Sequence, residues 1–324
     1  MPYYPERRPD PYAEEQKRIQ EARKAAARAR RRRLTAAAVT VLLVTYGVVR
    51  LTAYGADYYS SRQTSQELYE LYEEPVQAVT AAPTAVMKAA AATAAPQAEA
   101  PALTPEPTPA VYLQPVSYPD NPDLKVSERF KKLRKKSKYI VGWLSMDGVE
   151  EAVAQKDNTY FLTHDATGKK NVNGAIFADS GMTLMTRPYT VYLFGHNMKS
   201  GNMFGRLRKY KESAYFFRHR IITFDSMYEE GKFAVFAAAE ISTKPGDGNY
   251  YDLWSLESNR VSDRKAAIEE LISRSFHANI LDVQPDEQLV VLVTCCGREE
   301  ERLVVAARRM RDGETENRLT LPPL

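Results

Sequence analysis

Cysteine and histidine are scarce in this sequence, whose 324 residues include two cysteines and four histidines. The cysteines are adjacent, at Cys295 and Cys296, so a disulfide-stapled secreted scaffold and a four-cysteine zinc site are both excluded. We expect no metal and no other cofactor. The hydrophobic fraction of 44% and the charged fraction of 27% are ordinary for a globular protein, which excludes a multi-span membrane protein and a wholly disordered chain.

Positive charge is concentrated at one end of the chain. Residues 1–34 contain eleven basic and five acidic residues, a net charge of +6, whereas the whole chain carries +4. The rest of the protein is therefore close to neutral. Nucleic-acid binding is not expected of this basic arm, because an apolar segment follows it at once.

The apolar segment suits a single membrane span. Residues 34–49 carry no charge, and the run continues through Arg50 to Ala56, which gives 23 residues, whereas about 20 cross a bilayer. A cleaved signal peptide is the alternative, but Tyr54 occupies the −3 position for a cut after Ala56. The arginines on the N-terminal flank predict a cell-membrane protein with a cytoplasmic N-terminus and an extracellular C-terminal region.

A disordered spacer is predicted between the span and the folded region. Residues 80–110 contain 13 alanines, 6 prolines and no glycine, a composition that cannot form a core. We therefore predict a basic arm, a membrane anchor, a polar stalk with its spacer, a folded domain and a tail, at residues 1–33, 34–56, 57–126, 127–312 and 313–324. Because the anchor and the Ala/Pro-rich spacer are expected to add nothing to the core, removal of residues 1–125 should leave a soluble, folded and active domain.

Short strands between turn signals dominate the folded region, which predicts a mainly β protein, a β-barrel with helical decorations. Strands are predicted at Tyr139–Leu144, Tyr160–Thr163, Ala175–Phe177, Thr190–Phe194, Ile221–Phe224, Lys232–Ile241, Gln288–Thr294 and Leu303–Ala307. Helices are predicted at Ser127–Lys138, after Met203, and at Ser262–Phe276.

His196 and the cysteine pair are the candidate catalytic groups. His196 follows an apolar strand and precedes a polar loop, a common place for a catalytic side chain. Cys295 and Cys296 end a buried strand, just before glycine and charged residues. A thiol and a distant histidine are typical of a cysteine nucleophile with its acid–base partner. A buried structural thiol is the alternative.

Several blocks of the sequence resemble the class B sortases of Gram-positive bacteria. In chain order they are VGWL (141–144), KDNTYFL (156–162), GAIFAD (174–179), FGHNMKSGNMF (194–204) and LVTC (292–295). The blocks follow the family's order over residues 139–309, and the histidine block is long and specific.

The resemblance implies an eight-stranded β-barrel and a cysteine transpeptidase. Such an enzyme cleaves a C-terminal sorting signal of a secreted protein through a thioacyl-enzyme and transfers the acyl group to an amine of a peptidoglycan precursor or a pilin lysine. The resemblance implies Cys295 as nucleophile, His196 as general acid and base, and Arg302 as the cation that stabilises the oxyanion. It also implies substrate contacts at Asn158, Leu162, Asn197 and Thr294.

Strand geometry distinguishes between the cysteines and between the arginines. Successive residues of a strand face opposite sides, so Cys295 and Cys296 cannot both face one cleft. Arg298 falls in the turn after the cysteines, and Arg308 lies at the far end of the next strand. Arg302 begins that strand, where an antiparallel return brings it back beside Cys295.

A cysteine endopeptidase and a catalytically inert binding module are the alternative functions. Caspase-like endopeptidases have their histidine about 50 residues before the cysteine and carry a QACxG signature; here the separation is 99 residues and the signature is absent. An inert module is expected to lose one of the three residue types. The expected partners are therefore secreted proteins with a sorting signal, an amine acceptor and the membrane, without nucleic acid.

Overall fold

The computed structural model describes residues 11–75, 110–296 and 300–319. Most of the predicted spacer and the end of the predicted tail lie outside these residues, and the domain boundaries stay predictions. The chain divides into two compact units, Met1–Asp57 and Tyr58–Leu324. Helix α1 (Pro11–Glu73) begins in the first unit. It is long and apolar enough to cross a membrane, and it contains the predicted span.

The second unit contains eight strands that close into a barrel. They are β1 (Ile140–Met146), β2 (Val149–Ala154), β3 (Ile176–Ala178), β4 (Thr190–Phe194), β5 (Ile221–Ser226), β6 (Lys232–Ser242), β7 (Leu289–Cys295) and β8 (Glu301–Arg309). Neighbours around the barrel follow the order β1-β2-β3-β4-β7-β8-β6-β5. The β2–β3 and β4–β7 pairs are parallel, and the other pairs between these strands are antiparallel. The predicted eight-stranded barrel is confirmed.

Short helices decorate the barrel. The α-helices of this unit, after the end of α1, are α2 (Glu128–Lys136), α3 (Ser213–Arg218), α4 (Val261–Ser273) and α5 (Glu316–Leu319). The 3₁₀ helices are Tyr160–Leu162, Leu184–Thr186, Phe204–Lys211 and Leu253–Glu257. Helix α2 begins where the sequence predicts, because the Ser127 side chain accepts a hydrogen bond from the Phe130 amide at its first turn.

The strands differ from the sequence prediction in two places. The predicted strand Tyr160–Thr163 is wrong: its first three residues form a 3₁₀ helix, because the Asp157 carboxylate accepts hydrogen bonds from the amides of Thr159 and Tyr160 and turns the chain. The prediction also omits β2, whose two glutamates obscure its apolar pattern. The turn before β2 contains Gly148 at a φ of +65°, where an Asp-Gly dipeptide suits a hairpin.

The barrel wall separates two hydrophobic clusters. All eight strands contribute side chains to the interior cluster, which also contains Phe204 and Leu207 of a 3₁₀ helix. An outer cluster lies beneath α4, where Leu271 packs with alternate residues of β7, Val291 and Val293. This alternation follows from the two-residue period of a strand. The two clusters fix which residues of β7 point inward and which point outward.

The end of α1 packs against the opposite outer face of the barrel. Leu68 and Tyr72 are 2% and 7% exposed. The Tyr72 ring stacks on Trp143 of β1, with ring centres 4.5 Å apart and planes 7° from parallel, and its hydroxyl donates a hydrogen bond to Asp225 of β5. This part of α1, which lies in the predicted polar stalk, therefore adds to the core of the second unit.

We predict that Leu68→Ala lowers the free energy of unfolding of residues 58–324 by about 2–4 kcal/mol, because it leaves a cavity between α1 and the barrel. Chemical denaturation followed by circular dichroism measures this change. Gln63→Ala, an exposed position of the same helix, is the matched control. Equal stability of the two variants would show that α1 does not pack on the barrel in solution.

A partly buried carboxylate at the same contact predicts a pH dependence. Burial raises the pKa of Glu151 in β2 to about 7, although Ser65 of α1 donates a hydrogen bond of 2.7 Å to it. Folding therefore takes up a proton at Glu151 when the pH lies between the ordinary pKa of a glutamate and about 7. The free energy of unfolding falls as the pH rises through this range and stays constant above it. We predict that Glu151→Gln is more stable than the wild type above pH 7 and loses this fall.

Denaturation of the two proteins between pH 5 and 8 measures the effect. The control is Glu73→Gln, at an exposed position near the end of α1. Parallel stability curves for wild type and Glu151→Gln would contradict the prediction.

Candidate active site

The parallel pairing of β4 with β7 brings the histidine and cysteine blocks together. The two strands are in register from Thr190 opposite Leu289 to Phe194 opposite Val293. Both strands therefore end at the same edge of the barrel. His196 lies two residues beyond Phe194, and Cys295 lies two residues beyond Val293. The Gly195 amide donates to the Val293 carbonyl at 3.3 Å, which continues the pairing beyond Phe194.

Cys295 and Arg302 lie directly opposite each other in the antiparallel β7–β8 pair. Side chains of directly opposed residues project from the same face of a sheet, with Cβ atoms about 4.5–5.5 Å apart. Cys295 is exposed, and Arg302 is partly exposed, with one Nη1 hydrogen bond to the Glu301 carbonyl at 2.9 Å. The thiol and the guanidinium are therefore neighbours on the outer face of the barrel wall.

Cys296 points the other way. It is 8% exposed and belongs to the interior cluster. Burial raises the pKa of its thiol to about 12, and the neighbouring Glu240 carboxylate adds to the increase. Lys211 forms an ion pair with the same carboxylate. This thiol is shielded from solvent and is a poor nucleophile at neutral pH.

The ring of His196 is held from one side by the backbone. Its Nε2 lies 2.7 Å from the Leu162 carbonyl oxygen, and since a carbonyl only accepts hydrogen bonds, Nε2 carries a proton. Gly174, at a φ of +63°, leaves space for the ring, because a Cβ there would lie 3.2 Å from the His196 Cδ2 and 2.3 Å from the Phe161 oxygen. This arrangement leaves Nδ1 for proton transfer.

A cavity of about 390 Å³ at this edge of the barrel, the site cavity, contains the three predicted catalytic residues. It is lined by Asn158, Leu162, Phe177, Phe194, Gly195, His196, Trp254, Val293, Thr294, Cys295 and Arg302. The aromatic residues of this lining were not predicted as part of the site. Phe177 and Phe194 lie within two of the blocks that resemble the family, whereas Trp254 lies in a segment that no motif marks.

The predicted substrate-contact residues divide into two groups. Asn158, Leu162 and Thr294 line the site cavity. Asn197 is not among its lining residues; its Nδ2 instead donates a hydrogen bond of 2.7 Å to the Cys295 carbonyl. Thr294 is 2% exposed, and its hydroxyl donates to the Gly195 carbonyl at 2.7 Å. Two of the four side chains thus tie the strand ends together.

The side chain of Asn158 also has partners within the protein. Its Nδ2 donates to the Asp179 carboxylate at 2.6 Å, and its Oδ1 accepts from the Ser180 amide at 2.8 Å. Both polar groups hold the loop after β3. Leu162 is 38% exposed and offers an apolar surface beside His196.

Arg308, one of the alternative arginines, lies away from this site. Arg308 is 2% exposed, lies opposite Leu289 at the other end of β7, and forms hydrogen bonds of 2.8 and 2.6 Å with Glu314. Six residues of strand separate Leu289 from Cys295, a distance of about 20 Å. Arg298 lies outside the described residues.

Comparisons with known proteins give one consistent result. The family model for the Sortase domain matches residues 134–310. Sortase B of Listeria monocytogenes is 27% identical over 175 residues, which are 52% of this chain and 68% of that protein. Sortase B of Staphylococcus aureus is 27% identical over 189 residues, 56% of this chain and 75% of that protein.

A solved structure supports the fold. The crystal structure of sortase B from Bacillus anthracis matches with a TM-score of 0.57 and 23% identity. The match covers 78% of this chain and 97% of that one. It therefore extends well beyond the part of the chain that the family model matches.

We predict that iodoacetamide alkylates Cys295 in the native protein and leaves Cys296 unmodified at pH 8, because Cys296 is buried and its thiol stays protonated. Mass spectrometry of the intact protein should show one addition in the native state and two in denaturant. Cys295→Ala should react at least about tenfold more slowly than Cys296→Ala. Faster alkylation of Cys296 would show that the register of β7 is displaced by one residue.

Proposed function

The chain belongs to the sortase family as a class B cysteine transpeptidase, and from that premise we propose that it sorts secreted proteins. The predicted resemblance is confirmed. In the proposed reaction, a C-terminal sorting signal is cleaved and the acyl group passes to an amine of a peptidoglycan precursor or a pilin lysine. Cys295, His196 and Arg302 are the proposed catalytic residues.

One observation carries the assignment of these residues. Cys295 is exposed and lies opposite Arg302 across the β7–β8 pair, and both line the site cavity together with His196. A nucleophile, an acid–base group and a cation are the three groups that acyl transfer through a thioester requires.

The first half-reaction forms a thioester. In the proposed step, Nδ1 of His196 takes the proton of the Cys295 thiol. The resulting thiolate attacks the carbonyl carbon of the scissile amide, and the carbonyl oxygen takes the negative charge. The guanidinium of Arg302, on the same face as the thiol, stabilises that oxyanion. When the C–N bond breaks, the leaving amine takes a proton from the Nδ1 of His196, and the acyl group remains on Cys295.

The second half-reaction reverses the proton transfer. The acceptor amine attacks the thioester carbonyl, His196 takes the proton that the amine loses, and the thiolate of Cys295 leaves. The Leu162 carbonyl, which accepts from Nε2, keeps the ring in one orientation through both steps. The same nitrogen, Nδ1, therefore donates in the first half and accepts in the second.

The apolar stretch of α1 supports a membrane location for this reaction. We propose that residues 34–56 cross the cell membrane with the basic arm in the cytoplasm, so that the barrel faces the outside, where sorting substrates emerge. The substrate contacts at Asn158, Leu162, Asn197 and Thr294 also belong to the proposal.

We predict that Cys295→Ala forms no thioester, that His196→Ala loses about 10²–10⁴ of the transpeptidation rate, and that Arg302→Ala loses about 10²–10³. The measurement is the rate of amide product from a sorting peptide and an amine, with mass spectrometry of the trapped acyl-enzyme. Cys296→Ala is the matched control, and it should keep most of the activity.

Each component of the proposal has its own contrary result. A thioester on Cys296 would show that the interior thiol is the nucleophile. A fully active Arg302→Ala would show that another group stabilises the oxyanion. Hydrolysis without amide product would favour the endopeptidase alternative. No turnover of any sorting peptide by the wild type would favour an inert binding module.

A further inference from the structure

Trp254 stands between two cavities at the candidate active site. A second cavity of about 270 Å³, the side cavity, shares Phe194, Trp254, Val293 and Arg302 with the site cavity. Trp254 belongs to the 3₁₀ helix Leu253–Glu257, here named the wall helix. Trp254 is 47% exposed, and its ring meets the Tyr192 ring edge-on, with centres 4.8 Å apart. The position of the wall helix therefore sets the shape of both cavities.

The wall helix is fixed to β4 by two of its carbonyl groups. The Leu253 carbonyl accepts a hydrogen bond of 2.6 Å from the Tyr192 hydroxyl, and the Leu256 carbonyl accepts one of 2.8 Å from the Thr190 hydroxyl. The Leu253 and Leu256 side chains are buried. Trp254 lies between these two fixed points.

Arg264 of α4 joins this helix to the starts of both strands that lead to the site. Its side chain is fully buried, and each of its five N–H groups has an acceptor. Nε donates to the Pro285 carbonyl at 2.6 Å and Nη2 to the carbonyls of Tyr189 and Glu287, both at 3.0 Å. Nη1 donates to the Thr190 hydroxyl at 2.8 Å and to the Leu256 carbonyl.

These acceptors lie on three separate segments. Tyr189 and Thr190 are at the start of β4, Pro285 and Glu287 precede β7, and Leu256 is in the wall helix. A planar guanidinium presents five donors in a fixed geometry, whereas a lysine has three donors on one atom. Lysine at this position would lose at least two of the five hydrogen bonds.

We propose that Arg264 is a positioning residue of the active site, which holds the Trp254 ring between the two cavities and thereby sets the affinity for the peptide substrate. The proposal rests on the proposed function only for the kinetic measurement, the KM and kcat for the peptide substrate. Arg264 does not touch the site cavity, so its effect passes through the wall helix.

The experiment compares Arg264→Lys with the wild type, both labelled with 5-fluorotryptophan. The chain has two tryptophans, so ¹⁹F NMR gives two resonances, which Trp254→Phe assigns. We expect the Trp254 resonance to move or broaden while that of Trp143 keeps its position and reports an intact barrel. The peptide KM should increase about tenfold with kcat within about twofold, because binding is affected and chemistry is not.

Arg260→Lys is the matched control, since Arg260 is an exposed residue just before α4; its spectrum and kinetics should equal those of the wild type. An unchanged Trp254 resonance and KM in a folded Arg264→Lys protein would overturn the proposal. A purely structural role would lower kcat through loss of active enzyme and leave KM unchanged, and this result would also overturn it.

If Arg264→Lys does not fold, a second variant tests the positioning role of Arg264. Thr190→Val keeps the side-chain volume but removes one acceptor of Arg264 and one donor to Leu256. The Trp254 resonance and KM should change in the same direction and by less, and no change would overturn the proposal. If the wild type shows no transpeptidation, the proposed function fails, whereas the resonance of Trp254 still decides the positioning role.

Discussion

The parallel contact between β4 and β7 is the constraint on which the candidate active site depends. The histidine and cysteine blocks are 99 residues apart in the sequence and belong to strands that are neighbours in the barrel. Two parallel strands in register end at the same edge, so the residues that follow them share one surface. The connection between them, residues 195–288, then supplies β5, β6, α4 and the wall of the cavity.

Side-chain alternation along β7 decides which groups are available for chemistry. Cys296 belongs to the interior cluster, and Cys295 before it is exposed and faces outward. The same alternation on β8 places Arg302 beside Cys295, because opposed residues share a face. A shift of one residue in either strand would exchange an exposed thiol for one whose pKa burial raises to about 12.

Motifs and strand periodicity predict the barrel and the three catalytic candidates, but they do not predict contacts between distant segments. The 3₁₀ helix Tyr160–Leu162 depends on the Asp157 carboxylate, which accepts hydrogen bonds from nearby backbone amides. These local hydrogen bonds outweigh the strand propensity of the segment. Trp254 enters the site from a helix of no recognisable motif. Composition does not predict the packing of Leu68 and Tyr72, since an isolated polar stalk and an amphipathic helix packed on a domain have similar compositions.

The backbone, more than the catalytic side chains, sets the distance between nucleophile and base. The strand ends are joined from Gly195 to Val293, from Thr294 to Gly195, and from Asn197 to Cys295, by hydrogen bonds of 3.3, 2.7 and 2.7 Å. His196 takes its orientation from the Leu162 carbonyl. Because each catalytic side chain is placed by neighbours that take no part in the reaction, the thiol and the imidazole remain in position before a substrate arrives, as preorganised catalysis requires.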